Sequence, residues 1–224
     1  DYPFAVADIY PNGCVFVDSS RMNEKAILRP VGVYCPQDGS AFVSLVLGRD
    51  TSESMANLIQ KVIEVKRSTT MPNLENVLIV ADGGGANMSN GIQWKNQLLD
   101  LSAKVKMPIQ VCHFAPGSSR HNPIEHRLWS EVSIHWKGKP LLDIEHVMRY
   151  ISETTTGGST LNHVTCWFDN RHYKTNQEKK ECGEDVLTRE ELDEKAKGRI
   201  SYLFEEGTDM HKWNYVISPT AKIE

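Results

Sequence analysis

The stretch Val77-Leu78-Ile79-Val80-Ala81-Asp82-Gly83-Gly84-Gly85 decides how this chain is read. Its apolar residues run on without a polar alternate, which describes a strand buried on both faces of a sheet. The run stops at an aspartate. A side chain just past the end of such a strand points into a crevice at the strand ends. The three glycines that follow allow a sharp turn and the close approach of another molecule. On its own, Asp82 also reads as an ordinary turn aspartate. A Walker-type phosphate loop is excluded, because no Gly-Lys-Ser/Thr follows the glycines.

Outward from this strand the hydrophobic period changes in a regular way. Upstream, Met55, Leu58, Ile59, Val62, Ile63 and Val65 have helical spacing, and Asp50-Thr51-Ser52-Glu53 is a capped helix start. Before that come short β-like runs at Phe4–Ile9, Cys14–Val17, Val31–Cys35 and Ala41–Leu47. The last two flank Pro36-Gln37-Asp38-Gly39-Ser40, a hairpin signal. Downstream, a helix is predicted over Gly91–Val105, a buried strand over Ile109–Phe114, a helix from Pro123 to about Trp136 and another over Pro140–Glu153. A meander followed by alternating strands and helices predicts an α/β fold: a mixed sheet with helices on both faces. Residues 1–153 are expected to form the core. Residues 154–224 are expected to extend it or to form a small appended lobe.

Composition narrows the class. The 224 residues are 40% hydrophobic and 24% charged, enough for one substantial core. No apolar run reaches the length of a membrane span. Asp1-Tyr2-Pro3-Phe4 lacks the pattern of a signal peptide; the chain does not open on Met and is expected to be part of a longer protein. The five cysteines are scattered, with no C-x-x-C pair, which argues against a disulfide framework or a zinc site. The net charge of −4 argues against a stand-alone DNA-gripping module. Charge is uneven, however. Residues 101–150 carry seven Lys/Arg against four Asp/Glu, whereas residues 176–196 carry four against eight.

Carboxylates at strand ends are the strongest chemical signal. Asp82 ends one apolar run, and Asp18 ends Val15-Phe16-Val17. Clustered carboxylates repel one another, so a hard divalent cation is their natural partner. Further on, Asn122 is suited to cap a helix and Pro123 to open it, which puts Glu125 in the first turn. Favourable interaction with the helix dipole is the plainer explanation of Glu125.

These strings resemble a known family. Asn122-Pro123-Ile124-Glu125 is similar to the element around the third acid of DDE transposases. Ala81-Asp82-Gly83-Gly84-Gly85-Ala86-Asn87, Val111-Cys112-His113-Phe114-Ala115-Pro116-Gly117-Ser118-Ser119, Ile124-Glu125-His126-Arg127-Leu128 and Trp136-Lys137-Gly138-Lys139-Pro140-Leu141 resemble the Rhodopirellula-type DDE transposases of bacterial insertion sequences. Gly32-Val33-Tyr34 and Trp213-Asn214-Tyr215 do too, so the likeness runs from about Gly13 to Pro219.

The resemblance implies an RNase H-like fold, with an antiparallel three-strand meander and parallel strands. It implies two Mg2+ or Mn2+ ions on Asp18, Asp82 and Glu125. Asp18 is preferred to Asp8 as the first acid. Two strand-like runs follow Asp18 before the first helix and complete a meander, whereas counting from Asp8 leaves one strand too many. DNA, as transposon ends and target, is the implied partner. Arg120, His121, Arg127, Lys137 and Lys139 are candidate DNA contacts, with a solvated face as the alternative. His113 is read as a core or supporting residue. The family usually carries an N-terminal helix-turn-helix region, not seen here. A homo-oligomer on DNA and a bacterial cytoplasmic, nucleoid-associated location complete the expectation. Two rivals keep the fold: a nuclease without strand transfer, and a domesticated interaction module without catalysis.

Overall fold

A computed structural model describes residues 2–8, 14–17, 25–115, 117–155, 163–208 and 210–221. Strands β1 (Tyr2–Asp8), β2 (Cys14–Val17), β3 (Lys25–Cys35), β4 (Ser40–Leu47), β5 (Val77–Ala81), β6 (Ile109–His113), β7 (His163–Asp169), β8 (Ile200–Tyr202) and β9 (Asn214–Ile217) join in one mixed sheet. Its order is β7-β4-β3-β1-β5-β6-β9-β8, with β2 paired to β3 off this path. The centre is an antiparallel meander, β1-β3-β4, followed by β5 and β6 in parallel with β1. This is the RNase H-like arrangement anticipated above. Residues 163–217 add β7 in parallel to β4 and the β8–β9 pair to β6.

The strand count differs from the expectation in one instructive way. β3 is 11 residues long and starts six residues earlier than the run Val31–Cys35. Its length accommodates two partners on one edge: β1 pairs with Val31–Tyr34 and β2 with Lys25–Leu28. Leu28 meets Cys14 on that edge and Leu47 on the other. The strand of the meander that borders β5 is therefore β1, and β2 continues the same edge beyond it.

Period-two alternation sends β3 and β4 side chains to two cores. Val31, Val33, Phe42 and Val46 face a core shared with α1 (Ser52–Ser68) and α2 (Ile92–Val105). Leu28, Tyr34, Val43 and Leu45 face a second core shared with α3 (Ser130–Trp136) and α4 (Ile144–Ser152). Two short helices, α5 (Asn176–Glu181) and α6 (Arg189–Ala196), follow β7. Helix α4 starts at Ile144 rather than Pro140, because Asp143 caps it by accepting from the His146 N–H at 2.8 Å.

The helix predicted from Pro123 to Trp136 is continuous but begins with a π-helical turn, Glu125–Trp129. The Ser130 N–H donates to the Glu125 carbonyl, the longer bond that defines this turn. The segment is seated by Trp129, which is 1% exposed and lies directly on Gly32 of β3. A Cβ at position 32 would stand 2.4 Å from the Trp129 ring. Only glycine lets the indole reach the sheet. Gly32→Ala is therefore expected to lower stability by about 1–3 kcal/mol through overpacking. Chemical denaturation measures this, and an unchanged midpoint would contradict it.

Candidate functional site

Parallel pairing of β5 with β6 sets Ala81 beside His113, so both strands end at one edge of the sheet. Asp82 stands immediately past that edge, and the Phe114 N–H closes the pair on the Ala81 carbonyl at 2.8 Å. The glycine loop then turns with φ of +75° at Gly83 and +53° at Gly85, a region that favours glycine. The Gly84 N–H donates to Asp82 Oδ1 at 3.2 Å. The loop is tied to the start of α1, where Ser52 Oγ donates to the Ala86 carbonyl at 2.6 Å.

A cleft of about 350 Å3 opens here, lined by Asp82, Gly84, Ser89, His113, Phe114 and Trp213. His113 braces it. Its Nδ1 lies 3.1 Å from the Trp213 carbonyl and its Nε2 lies 2.9 Å from the Asn87 carbonyl. One ring thereby links the Asp82 loop to the C-terminal strand pair. Burial pushes the imidazole pKa down, while the two carbonyls pull it up. The structure gives His113 the supporting position read from the sequence.

Glu125 enters from the opposite element. Asn122 is fully buried, and its carbonyl accepts from the Glu125 N–H at 3.1 Å. Ile124, Leu128 and Trp129 are buried against the second core, which fixes the turn that carries Glu125. Burial raises the Glu125 pKa, the Asp82 charge raises it further, and His126 opposes both. The two carboxylates thus lie within electrostatic reach of each other, although they come from separate elements.

Asp18 lies outside the described residues. Asp8 is the last residue of β1, and its backbone alone is described. Among the described residues, no group of three His, Cys, Asp or Glu side chains is arranged to hold a metal ion. Two mutually repelling carboxylates are nevertheless hard oxygen donors of the kind that suits Mg2+ or Mn2+. The donor chemistry of Asp82 and Glu125 suits such an ion.

The basic candidates are scattered around Glu125. Arg120 and His121 are exposed and touch each other, Nε to Nε2, at 3.2 Å. The Arg120 carbonyl is bonded by His126 Nε2. Arg127 is exposed and its charge acts on Tyr34. Lys137 is exposed, whereas Lys139 turns to His135 at 3.0 Å and to the Tyr150 ring. Ser89 and Trp213 have no role in the sequence reading. Ser89 reaches the cleft through the loop that follows Asp82; Trp213 reaches it through the pairing of β9 with β6, and only the string Trp213-Asn214-Tyr215 pointed to it.

A carboxyl with a raised folded-state pKa holds its proton more tightly when folded. Its stabilising contribution is present at low pH and is lost as pH rises from the ordinary carboxylate range through the raised value. Without added metal, Glu125→Gln is therefore expected to melt above the parent protein at neutral pH. The gap should close in acid. Melting curves across pH test this, and a lower melting temperature for Glu125→Gln at neutral pH would contradict it.

Comparison with known proteins adds the family. Residues 16–219 match the Rhodopirellula transposase DDE domain. No match was found among curated proteins or among solved structures. The matched span covers most of the chain and includes both Asp82 and Glu125, while β1 lies before it. A strand followed at once by Asp82, a helical turn that holds Glu125 within reach of the Asp82 charge and this match lead to one statement: the chain belongs to the Rhodopirellula transposase DDE domain family.

Proposed function

We propose that this domain cuts DNA at the ends of a mobile element and joins the freed 3′-hydroxyl to target DNA. The observation that carries the reading is the charge of Asp82 acting on Glu125, a half-buried carboxyl from a separate element, beside a cleft at the strand ends that Asp82 lines. Family membership supports a transposase and DNA as its partner. Two divalent cations, Mg2+ or Mn2+, would supply activation of the attacking oxygen and stabilisation of the leaving oxygen of a phosphodiester. Asp82, Glu125 and one aspartate of the first strands would hold them.

Asp8 is the better choice for that third acid. β1 runs parallel to β5 with Val6 beside Ala81, and Asp8 follows two residues farther on. β2, which leads to Asp18, pairs with β3 beyond β1 and has no register with β5. Asp18 remains the rival because the family match begins at residue 16 and so contains it.

The protein's own groups do the rest. The glycine loop after Asp82 admits a DNA strand closely, and His113 holds that loop in position. Arg120, His121, Arg127, Lys137 and Lys139 supply contacts to the phosphate backbone, for which arginine's planar donors are well shaped. The acids act as ligands, so no covalent bond between enzyme and DNA is needed. Recognition of specific ends is assigned to a region outside this chain, and assembly of several copies to the DNA-bound state.

Cleavage of end-bearing DNA with Mn2+ tests the assignment. Asp82→Ala, Glu125→Ala and Asp8→Ala should each lower it by more than about 100-fold, the upper range for residues that merely orient metal ligands. Asp18→Ala should retain cleavage. Full activity of Asp82→Ala would remove the catalytic reading. An active Asp8→Ala with an inactive Asp18→Ala would move the first acid to Asp18. Pre-cleaved ends with a free 3′-hydroxyl test strand joining separately from cutting.

A further inference from the structure

Beside the Asp82 cleft lies a second groove of about 610 Å3, and Trp213 lines both. One wall is the first turn of α2. The other is formed by Glu206–Thr208 and His211–Trp213, from the connection between β8 and β9. The loop is well tied. The Leu203 N–H donates to the Asn214 carbonyl at 3.1 Å, and Asn214 Nδ2 donates to the Met210 carbonyl at 3.0 Å.

The groove combines positive charge with aromatic rings, of which Tyr202 is exposed. Lys95 lines it, yet the residue is only 5% exposed. Its Nζ donates to Tyr202 Oη at 3.1 Å and lies over the Tyr202 and Tyr215 rings. An ammonium has three donors, and Tyr202 Oη is the one hydrogen-bond acceptor it meets among the described residues. Lys95 also sits in the first turn of α2, whose N-cap Gly91 supplies no capping side chain. A cation there opposes the helix dipole, which favours an anion at that end. Arg189 and Lys212 line the same groove, where Glu206 is the lone carboxylate among the described residues. Lys95, Arg189 and Lys212 form no ion pair with any described carboxylate. By contrast, the nearby Lys195 pairs with Asp100 at 2.7 Å and Lys179 with Glu53 at 3.9 Å.

The rings form a platform. Tyr202 is 41% exposed and stacks on His211 with centroids 4.1 Å apart. His211 is fixed through Nδ1 on the Phe204 carbonyl at 2.8 Å. A cationic groove with exposed rings is how proteins hold an unpaired nucleic-acid strand, the phosphate on the charge and the base on the ring. A base within a duplex has no free face for such a platform.

We infer that this groove binds an unpaired segment of the DNA strand running out of the Asp82 cleft, with Lys95 on a phosphate and the Tyr202–His211 pair under a base. The inference rests on the proposed DNA chemistry at Asp82, but its readout is binding without metal. The probes are a fluorescein-labelled single-stranded oligonucleotide of mixed sequence and the corresponding duplex, with chelator present and anisotropy as the signal. Lys95→Met and Tyr202→Ala should each weaken single-strand binding by about tenfold, within the range measured for loss of a stacking partner. Tyr202→Phe, which keeps the ring and loses the hydroxyl that Lys95 bonds, should lose less single-strand binding than Tyr202→Ala, and duplex binding should be unchanged in all three. Tyr202 is at the surface, so Tyr202→Ala decides the matter even if Lys95→Met folds poorly. Parent-like single-strand binding by Tyr202→Ala, or equal losses for single strand and duplex, would overturn the inference. The catalytic reading fails separately, through Mn2+-dependent cleavage that survives Asp82→Ala.

Discussion

The seat of Trp129 on Gly32 is the contact on which the candidate site depends. Glu125 is on neither of the strands that carry the aspartates, so something must fix its helical turn against the sheet. A fully buried indole packed onto a residue without a Cβ does so from one side. Ile124 and Leu128, also buried, do so from the same turn. The π-helical spacing shifts the register between Glu125 and the regular helix α3 that follows. Such turns cost helix regularity and concentrate at functional sites. Here the turn leaves Ile124, Leu128 and Trp129 inward while Glu125 stays half-buried, within reach of the Asp82 charge.

Electrostatics explains what that geometry is for. Burial and the Asp82 charge both disfavour ionised Glu125. A fold selected only for stability would have little reason to keep two acids within reach of each other's charge. A bound cation reverses the sign of the balance, since the same charges then become ligands. His113 belongs to this arrangement, as its two ring contacts join the Asp82 loop to the strand pair that ends the sheet. Through Trp213 that strand pair also connects the cleft to the neighbouring groove of cations and rings.

Much of this was legible in the residues. The apolar run Val77–Ala81 and its aspartate announced the central strand, and the spacing of Met55 to Val65 announced α1. Parts of β3 and β4 were readable as β-like apolar runs, because each face of the sheet there meets a core of its own. The first acid was harder. Counting runs favours Asp18 and strand pairing favours Asp8, because local pattern cannot say that an 11-residue strand takes two partners along one edge. The π turn was also invisible, because Asn122-Pro123 starts any helix equally well and the extra residue per turn is set by Trp129 against Gly32. The groove at Lys95 depends on β9 pairing with β6 across about a hundred residues of chain, a contact no local period encodes.

Anomalous scattering from crystals soaked in Mn2+ tests the central claim most directly. The account predicts a manganese peak between the carboxylates of Asp82 and Glu125, with an aspartate of the first strands completing its coordination. A cleft free of manganese at saturating concentration, or manganese bound only by other residues, would contradict it.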